Sequence, residues 1–127
     1  MDLLDRVMDY LESNVNLNAS ITPALLGSGS SIALRLTPGS INTRFIEGFN
    51  ADIGFQILAQ DANHLRCIGV IEDIFRALEG LSKNDLVSQN NSFKLVSLKC
   101  TTLPNFVEKT EKGLFVYTAL FSAEIEY

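Results

Sequence analysis

The sequence contains only a few side chains of the types that carry out catalysis or bind ions. Nucleophilic catalysis needs a thiol or hydroxyl beside a base, and acid–base catalysis by carboxylates needs two of them in contrasting environments. The candidates are His64, Cys67, Cys100, the carboxylate pairs Glu72-Asp73 and Glu124/Glu126, and the Gly-Ser segment 27–31. Each must be weighed against a structural role in the element that carries it.

The histidine and the cysteines all fall within apolar patterns. His64, the only histidine, lies in the first turn of a predicted helix, roughly in line with its apolar stripe, which favours a half-buried structural role. Cys67 lies within that stripe, and Cys100 shares a predicted strand face with apolar residues, where cysteine behaves as a small hydrophobe. Two widely spaced cysteines make neither a disulfide scaffold nor a zinc site, so we expect reduced thiols.

The carboxylates and the glycine-rich segment also favour structural interpretations. Glu124 and Glu126 share one face of a predicted strand, which is typical of a solvated surface. Segment 27–31 lacks the Gly-Lys-Ser/Thr of a phosphate-binding loop and precedes a strand, which indicates a flexible loop. A divalent cation between carboxylates of neighbouring subunits is conceivable, but no spacing requires one. We therefore predict no catalytic, cofactor-binding or metal-binding residues, no cofactor and no enzymatic activity.

Length, composition and charge set broad limits. With 127 residues, 46% of them hydrophobic, the chain is expected to form a single domain over residues 1–127. A net charge of −5 argues against general affinity for nucleic-acid phosphate or anionic membranes. No uncharged apolar run reaches the roughly 20 residues that span a bilayer, and the acidic N-terminus is unlike a secretory signal.

Periodicity predicts two amphipathic helices. The first extends from Asp2 to about Asn14, with apolar residues at helical spacing and carboxylates opposite. The second begins near Asp61 as N-cap and ends with Gly80 just beyond its last turn. Its broad apolar stripe is expected to pack on a sheet.

Alternating apolar residues predict four strands. These are a short strand at 32–36 that ends at Pro38-Gly39, a strand at 51–60, one at 93–101, and a long one at 114–127. The resulting order, α-β-β-α-β-β, predicts an α+β fold with an approximately four-stranded, mostly antiparallel sheet and both helices packed on one face.

The connection from Thr37 to Asn50 is longer than a tight hairpin turn and is predicted to be a loop. It contains aromatic and arginine residues, which are enriched in the cores of protein interfaces. Its candidate interaction residues are Arg44, Phe45, Ile46 and Phe49, although the aromatics could equally fold back onto the sheet.

Several segments resemble a known family. They are Leu34-Arg35-Leu36-Thr37-Pro38-Gly39, residues 49–57 (FNADIGFQI), Asn90-Asn91-Ser92-Phe93, Leu114-Phe115-Val116-Tyr117-Thr118 and Ala123-Glu124-Ile125-Glu126. Together they resemble the small minor capsid proteins of Listeria-type siphophages and related Gram-positive prophages. The order of elements is also similar to that of the tail terminator, or tail completion, proteins of long-tailed phages.

This resemblance implies a structural role at the head–tail junction of a virion. It implies a ring of identical chains, typically a hexamer, made in the bacterial host cytoplasm. The ring would sit at the head-proximal end of the tail tube, with the tail tube protein and the head connector protein as partners and DNA only passing through its lumen. No contact with a membrane is expected.

Two functions of other classes remain open. A small ligand-binding or regulatory α+β module would have a preformed apolar pocket between helix and sheet. A small hydrolase using Glu124 and Glu126 would need a deep pocket and strongly shifted carboxylate pKa values.

Overall fold

The computed structural model describes residues 3–17, 19, 21–23, 26–27, 29–44, 49–81, 86–88 and 93–126, with the backbone alone at 23, 38–44 and 49–50. The elements in chain order are α1 (Leu3–Asn14), β1 (Ile21–Pro23), β2 (Ser31–Arg44), β3 (Phe49–Asp61), α2 (His64–Leu78), β4 (Lys94–Lys109) and β5 (Phe115–Glu126). In this part of the chain, neither helix is long and apolar enough to cross a membrane.

The strands form one five-stranded sheet in the order β1-β2-β3-β5-β4. The short strand β1 runs parallel to β2, and every other neighbouring pair is antiparallel. The predicted α+β class and the mostly antiparallel sheet are thus confirmed. The predicted number of four strands is wrong, because β1 adds an edge strand before β2 and changes the element order to α-β-β-β-α-β-β. Three residues are too few to show the alternation by which a strand is identified.

The hydrophobic core lies between the two helices and one face of the sheet. From α1 it contains Leu3, Val7 and Leu11, all 2% exposed or less, and from α2 it contains Cys67, Ile71, Ile74 and Leu78. The sheet contributes alternate residues of the two central strands: Ala51, Phe55, Ile57 and Ala59 of β3, and Ala119, Phe121, Ala123 and Ile125 of β5. We call this the helix side of the sheet. At its centre the rings of Phe55 and Phe121 stack with centroids 5.4 Å apart.

Helix α2 begins two residues later than the sequence predicted. Asp61 is the last residue of β3, and the N-cap is Asn63, whose side chain accepts a hydrogen bond from the Arg66 backbone N–H. The buried Asp61 carboxylate instead accepts the Asn63 backbone N–H at 2.8 Å. At the other end Gly80 has a φ of +80°, and it follows the cap residue Glu79 as predicted.

The connection from Thr37 to Asn50, which was predicted to be a loop, is mostly strand. Strand β2 continues past Pro38 to Arg44, and Arg44 pairs with Phe49 at the start of β3. A register shift between Thr37 and Ser40 sets Pro38 and Gly39 opposite a single residue of β3. Because β1 pairs only with residues 32–34, Pro38 lies where β2 is an edge strand. A proline at a bulge in an edge strand removes no hydrogen bond that the sheet needs.

Strand β4 is likewise longer than predicted. It runs through Pro104-Asn105 to Lys109, with four register shifts against β5. Pro104 falls within one of these shifts, between Thr102 and Asn105. The sequence prediction ended this strand at residue 101 because a proline usually excludes a central strand, but β4 is at the edge of the sheet.

Replacing Phe55 with alanine should lower the free energy of unfolding by about 3–5 kcal/mol, because it removes a fully buried ring and one half of the aromatic stack. Urea denaturation followed by circular dichroism measures this change. Val96→Ala, at a side chain that is 40% exposed, is the matched control and should change stability by less than about 1 kcal/mol. Similar losses in the two variants would contradict the placement of the core.

Candidate interaction surface

Two of the four predicted interaction residues, Arg44 and Phe49, lie where the paired strands β2 and β3 end. Arg44 closes β2 and is the pairing partner of Phe49, the first residue of β3. Phe45 and Ile46 lie outside the described residues, and at Arg44 and Phe49 only the backbone is described. The hairpin therefore brings two of the four predicted residues opposite one another, and the role of all four stays a prediction.

A second surface, which the sequence did not single out, is an aromatic cluster where α2 begins. The His64 ring stacks on Phe115 with centroids 4.2 Å apart and planes only 4° from parallel. Its Nε2 lies 2.8 Å from the Tyr117 hydroxyl, and the Phe106 ring packs edge-on against Tyr117 at 5.5 Å. The Lys109 ammonium lies 5.3 Å from the centroid of Phe115. We call the four rings (His64, Phe106, Phe115 and Tyr117) the aromatic corner.

The rings of the aromatic corner contact one another and are partly open to solvent. His64 is exposed, in contrast to the half-buried position predicted for it, and its ring is held by stacking and a hydrogen bond. No cysteine or serine contact with His64 is found in the described part of the chain. Phe106 is 50% exposed, and Leu103 and Val107 on the same strand are 67% and 46% exposed. Exposed apolar side chains grouped on one strand are typical of a surface that another molecule covers.

The sheet has two open strand edges. The first half of β4 is covered, since Leu98 exchanges backbone hydrogen bonds with Gly80 and Leu81, and the Cys100 N–H donates to Glu79 Oε2. From Thr101 to Lys109 no described residue pairs with the outer edge of β4, and we call this segment the open half of β4. From Arg35 to Arg44 no described residue pairs with the outer edge of β2, and we call this the open half of β2.

A row of hydrogen bonds crosses the other face of the sheet. Arg35 Nε donates to Gln56 Oε1 at 2.7 Å, and Gln56 Nε2 donates to the Thr118 hydroxyl at 2.9 Å. The Thr118 hydroxyl in turn donates to the Ile57 carbonyl at 3.0 Å. These bonds join β2, β3 and β5 on the face away from the helices and hold the base of the Arg35 side chain at the sheet edge.

Hydrogen bonds hold the glycine-rich segment in place. Their pattern differs from that of a phosphate-binding loop. Gln60, only 5% exposed, donates from Nε2 to the carbonyls of Gly27 and Gly29 at 2.9 and 2.8 Å. The Gly27 N–H donates to the Ser31 hydroxyl. An anion site needs free N–H groups, whereas the Gly27 N–H is bonded to Ser31, and Gln60 binds carbonyls. A nearby depression that Glu108, Glu111 and Lys112 help to line is open to solvent.

The carboxylates do not form a metal-binding group. In the ranges that the structure describes, no three His, Cys, Asp or Glu side chains come together as ligands. Glu124 is half-buried and Glu126 exposed, both on the face away from the helices. Asp61, the buried carboxylate, has its Oδ2 3.6 Å from Arg66 Nη1 and supports the start of α2.

Comparison with known proteins gives a likeness of fold. No protein-family model matches the chain, and no curated protein matches its sequence. Its structure is similar to that of a chain in the solved structure described as "Virion of native gene transfer agent (GTA) particle". The TM-score is 0.67 with 19% sequence identity, over 95% of this chain and 92% of that chain. At this identity the similarity shows a shared fold, and it extends over nearly the whole of both chains.

The two thiols are in environments that disfavour the nucleophilic thiolate. Burial, with a smaller contribution from the nearby Asp61 carboxylate, raises the pKa of Cys67 to about 11. Its Sγ donates to the carbonyls of Ala59 and Phe115 at 3.3 and 3.4 Å. Burial, followed by the charge of Glu79, also raises the pKa of Cys100. These contacts agree with the structural roles predicted for both cysteines.

Cys67 should therefore resist thiol reagents in the folded protein. With a pKa of about 11, only about one thiol in a thousand is ionised at pH 8, and the side chain is buried. Titration with a chromogenic disulfide should detect slow reaction of Cys100 and none of Cys67 until urea unfolds the chain. The variants Cys67→Ala and Cys100→Ala assign the two signals. Rapid reaction of Cys67 in the native protein would contradict this arrangement.

Proposed function

We propose that this chain is a structural protein of a phage-type virion and acts as a tail terminator. In this role identical chains form a ring, six-membered in the proteins that it resembles, at the head-proximal end of the tail tube. The observation that carries the proposal is the end-to-end likeness of fold to a chain of a gene transfer agent virion, at a TM-score of 0.67. The resemblance of five sequence segments to phage minor capsid proteins supports it independently.

The use of the reactive side chains supports a role without catalysis. Both thiols are protonated at neutral pH, the histidine stacks on an aromatic ring, and Gln60 and Asp61 hold a loop and a helix start. These five side chains are thus engaged in contacts that maintain the fold. An enzyme needs some of these groups free and directed towards a substrate.

A terminator ring needs contacts in two directions. Along the ring, each copy must bind the next through two different surfaces, because only a heterologous contact closes into a ring of more than two chains. Along the tail axis, the ring must bind the tail tube protein on one side and the head connector protein on the other. DNA then passes through the lumen, and a chain with a net charge of −5 does not hold it.

The tip of the β2–β3 hairpin is our candidate for a contact with a partner. Arg44, Phe45, Ile46 and Phe49 combine arginine with apolar and aromatic residues, the types that supply most of the binding energy at protein interfaces. Strands β2 and β3 end at Arg44 and Phe49, and these two residues pair with one another.

Immunogold electron microscopy of particles tests the proposed role. An antibody against this chain should label particles from a producing lysate at the head–tail junction. Label elsewhere on the virion would contradict the terminator role and leave a structural role in the particle. The absence of label from intact particles, with the epitope shown to be accessible, would contradict the virion role and direct attention to ligand binding.

Substitutions at the hairpin tip test the candidate contact. Phe45→Ala and Phe49→Asp should leave the melting temperature of the purified chain within a few degrees of the wild type and should block the joining of tails to heads. Complementation of a phage lacking the gene, followed by counting of free tails by electron microscopy, measures this effect. Glu111→Ala, in the turn after β4, is the control. A large loss of stability would instead make these phenylalanines core residues.

A further inference from the structure

We propose that the open half of β4 in one copy pairs with the open half of β2 in the next copy. This contact extends the sheet from chain to chain, and it rests on the proposed ring. The partner is a second copy of this chain because the same molecule supplies both edges that no described residue pairs with. The two segments are similar in length, Thr101 to Lys109 and Arg35 to Arg44.

The directions of the strands suit this pairing. Strand β2 is antiparallel to β3, β3 to β5, and β5 to β4, so β2 and β4 run in opposite directions within one chain. Rotation about a ring axis keeps these directions, and β4 therefore meets the neighbouring β2 as an antiparallel partner. Addition of a strand to an exposed sheet edge is a common mode of protein recognition.

On the helix side, each open edge carries an exposed apolar side chain. Leu36 is 60% exposed and is the cross-strand partner of the core residue Phe55. Phe106 is 50% exposed and is the cross-strand partner of Tyr117, whose ring it contacts in the aromatic corner. Because neighbouring strands of one sheet share their faces, Leu36 and Phe106 can lie opposite one another across the contact.

On the other face, this register brings together opposite charges. With Leu36 opposite Phe106 in an antiparallel pair, Arg35 approaches Val107 and Glu108. Val107 is the extra residue of a register shift, so that Glu108 is the side chain facing away from the helices. Both Arg35 and Glu108 are exposed, and neither forms an ion pair within the described part of the chain. One register thus joins an apolar pair on one face and an ion pair on the other.

The open halves lie at opposite ends of the sheet, and this determines how copies are arranged. In the rows of cross-strand partners, Leu36 shares its row with Phe55, Phe121 and Cys100, whereas Phe106 lies towards the other end of β4. Neighbouring copies must therefore be displaced along the strand direction. Such a displacement closes into a ring when the strands are inclined to the ring axis, as in a β-barrel.

Charge reversal tests the ion pair. The single variants Arg35→Glu and Glu108→Arg should each raise the dissociation constant for self-association about tenfold, measured by sedimentation velocity over a concentration series. The double variant carrying both should restore association to within a few-fold of the wild type. Glu111→Arg, two residues beyond the end of β4, is the control and should not weaken association. Failure of the double variant to recover would overturn this register.

Blocking one edge at a time tests the two surfaces together. Leu36→Asp and Phe106→Asp should each stay monomeric, because each retains one functional edge and has no copy with the complementary edge. An equimolar mixture should form a one-to-one dimer, in which Leu36→Asp supplies β4 and Phe106→Asp supplies β2. Val96→Asp, on the covered half of β4, should assemble like the wild type. Circular dichroism and urea denaturation verify that each variant is folded.

The outcomes separate this inference from the proposed function. Assembly of both blocked variants like the wild type, or loss of assembly in only one of them, would overturn the contact between β4 and β2. A wild-type chain that stays monomeric at every concentration tested would also overturn it. None of these results bears on gold labelling at the head–tail junction, which tests the virion role by itself.

Discussion

The uninterrupted pairing of β3 with β5 is the constraint on which the other elements depend. The two strands match over twelve positions, from Asn50 opposite Glu126 to Asp61 opposite Phe115, without a register shift. Regular pairing keeps every second side chain on the helix side, where Phe55 and Phe121 stack and both helices pack. A slip of one residue would turn these rings to the opposite face. The outer strand pairs, in contrast, tolerate bulges, because less of the core depends on them.

The sequence predicted well those elements in which burial imposes a regular pattern. The alternation of β3 and β5 and the apolar stripe of α2 have that origin, and the structure contains all three. The short strand β1, the second half of β2 and the end of β4 were missed. At an edge only one side of a strand is paired, so Pro38 and Pro104 are tolerated there. Alternation and proline therefore do not show where an edge strand ends.

The candidate surfaces were predictable to a smaller extent. The sequence directed attention to residues 44–49 through their types, and the structure pairs Arg44 with Phe49 at the ends of β2 and β3. It did not identify the open half of β4, although Leu103, Phe106 and Val107 are apolar residues in a segment otherwise polar. Their exposure depends on residues 79–81 and 87, which contact β4 between Lys94 and Cys100 and not beyond. Which part of β4 is covered depends on contacts with residues distant in sequence, and the local sequence of β4 does not encode them.

The register shifts of β4 have a consequence for the behaviour of the chain before it assembles. A long, flat and apolar strand edge is a template for uncontrolled stacking into cross-β aggregates. Strand β4 contains four register shifts and Pro104, and because such shifts interrupt the regular ladder, a regular strand can match it only over a few residues at a time. Such an edge is a poor template for an extended amyloid-like ladder. The register shifts and the proline made the end of β4 hard to predict from the sequence. The same features allow the apolar open half of β4 to remain exposed before assembly.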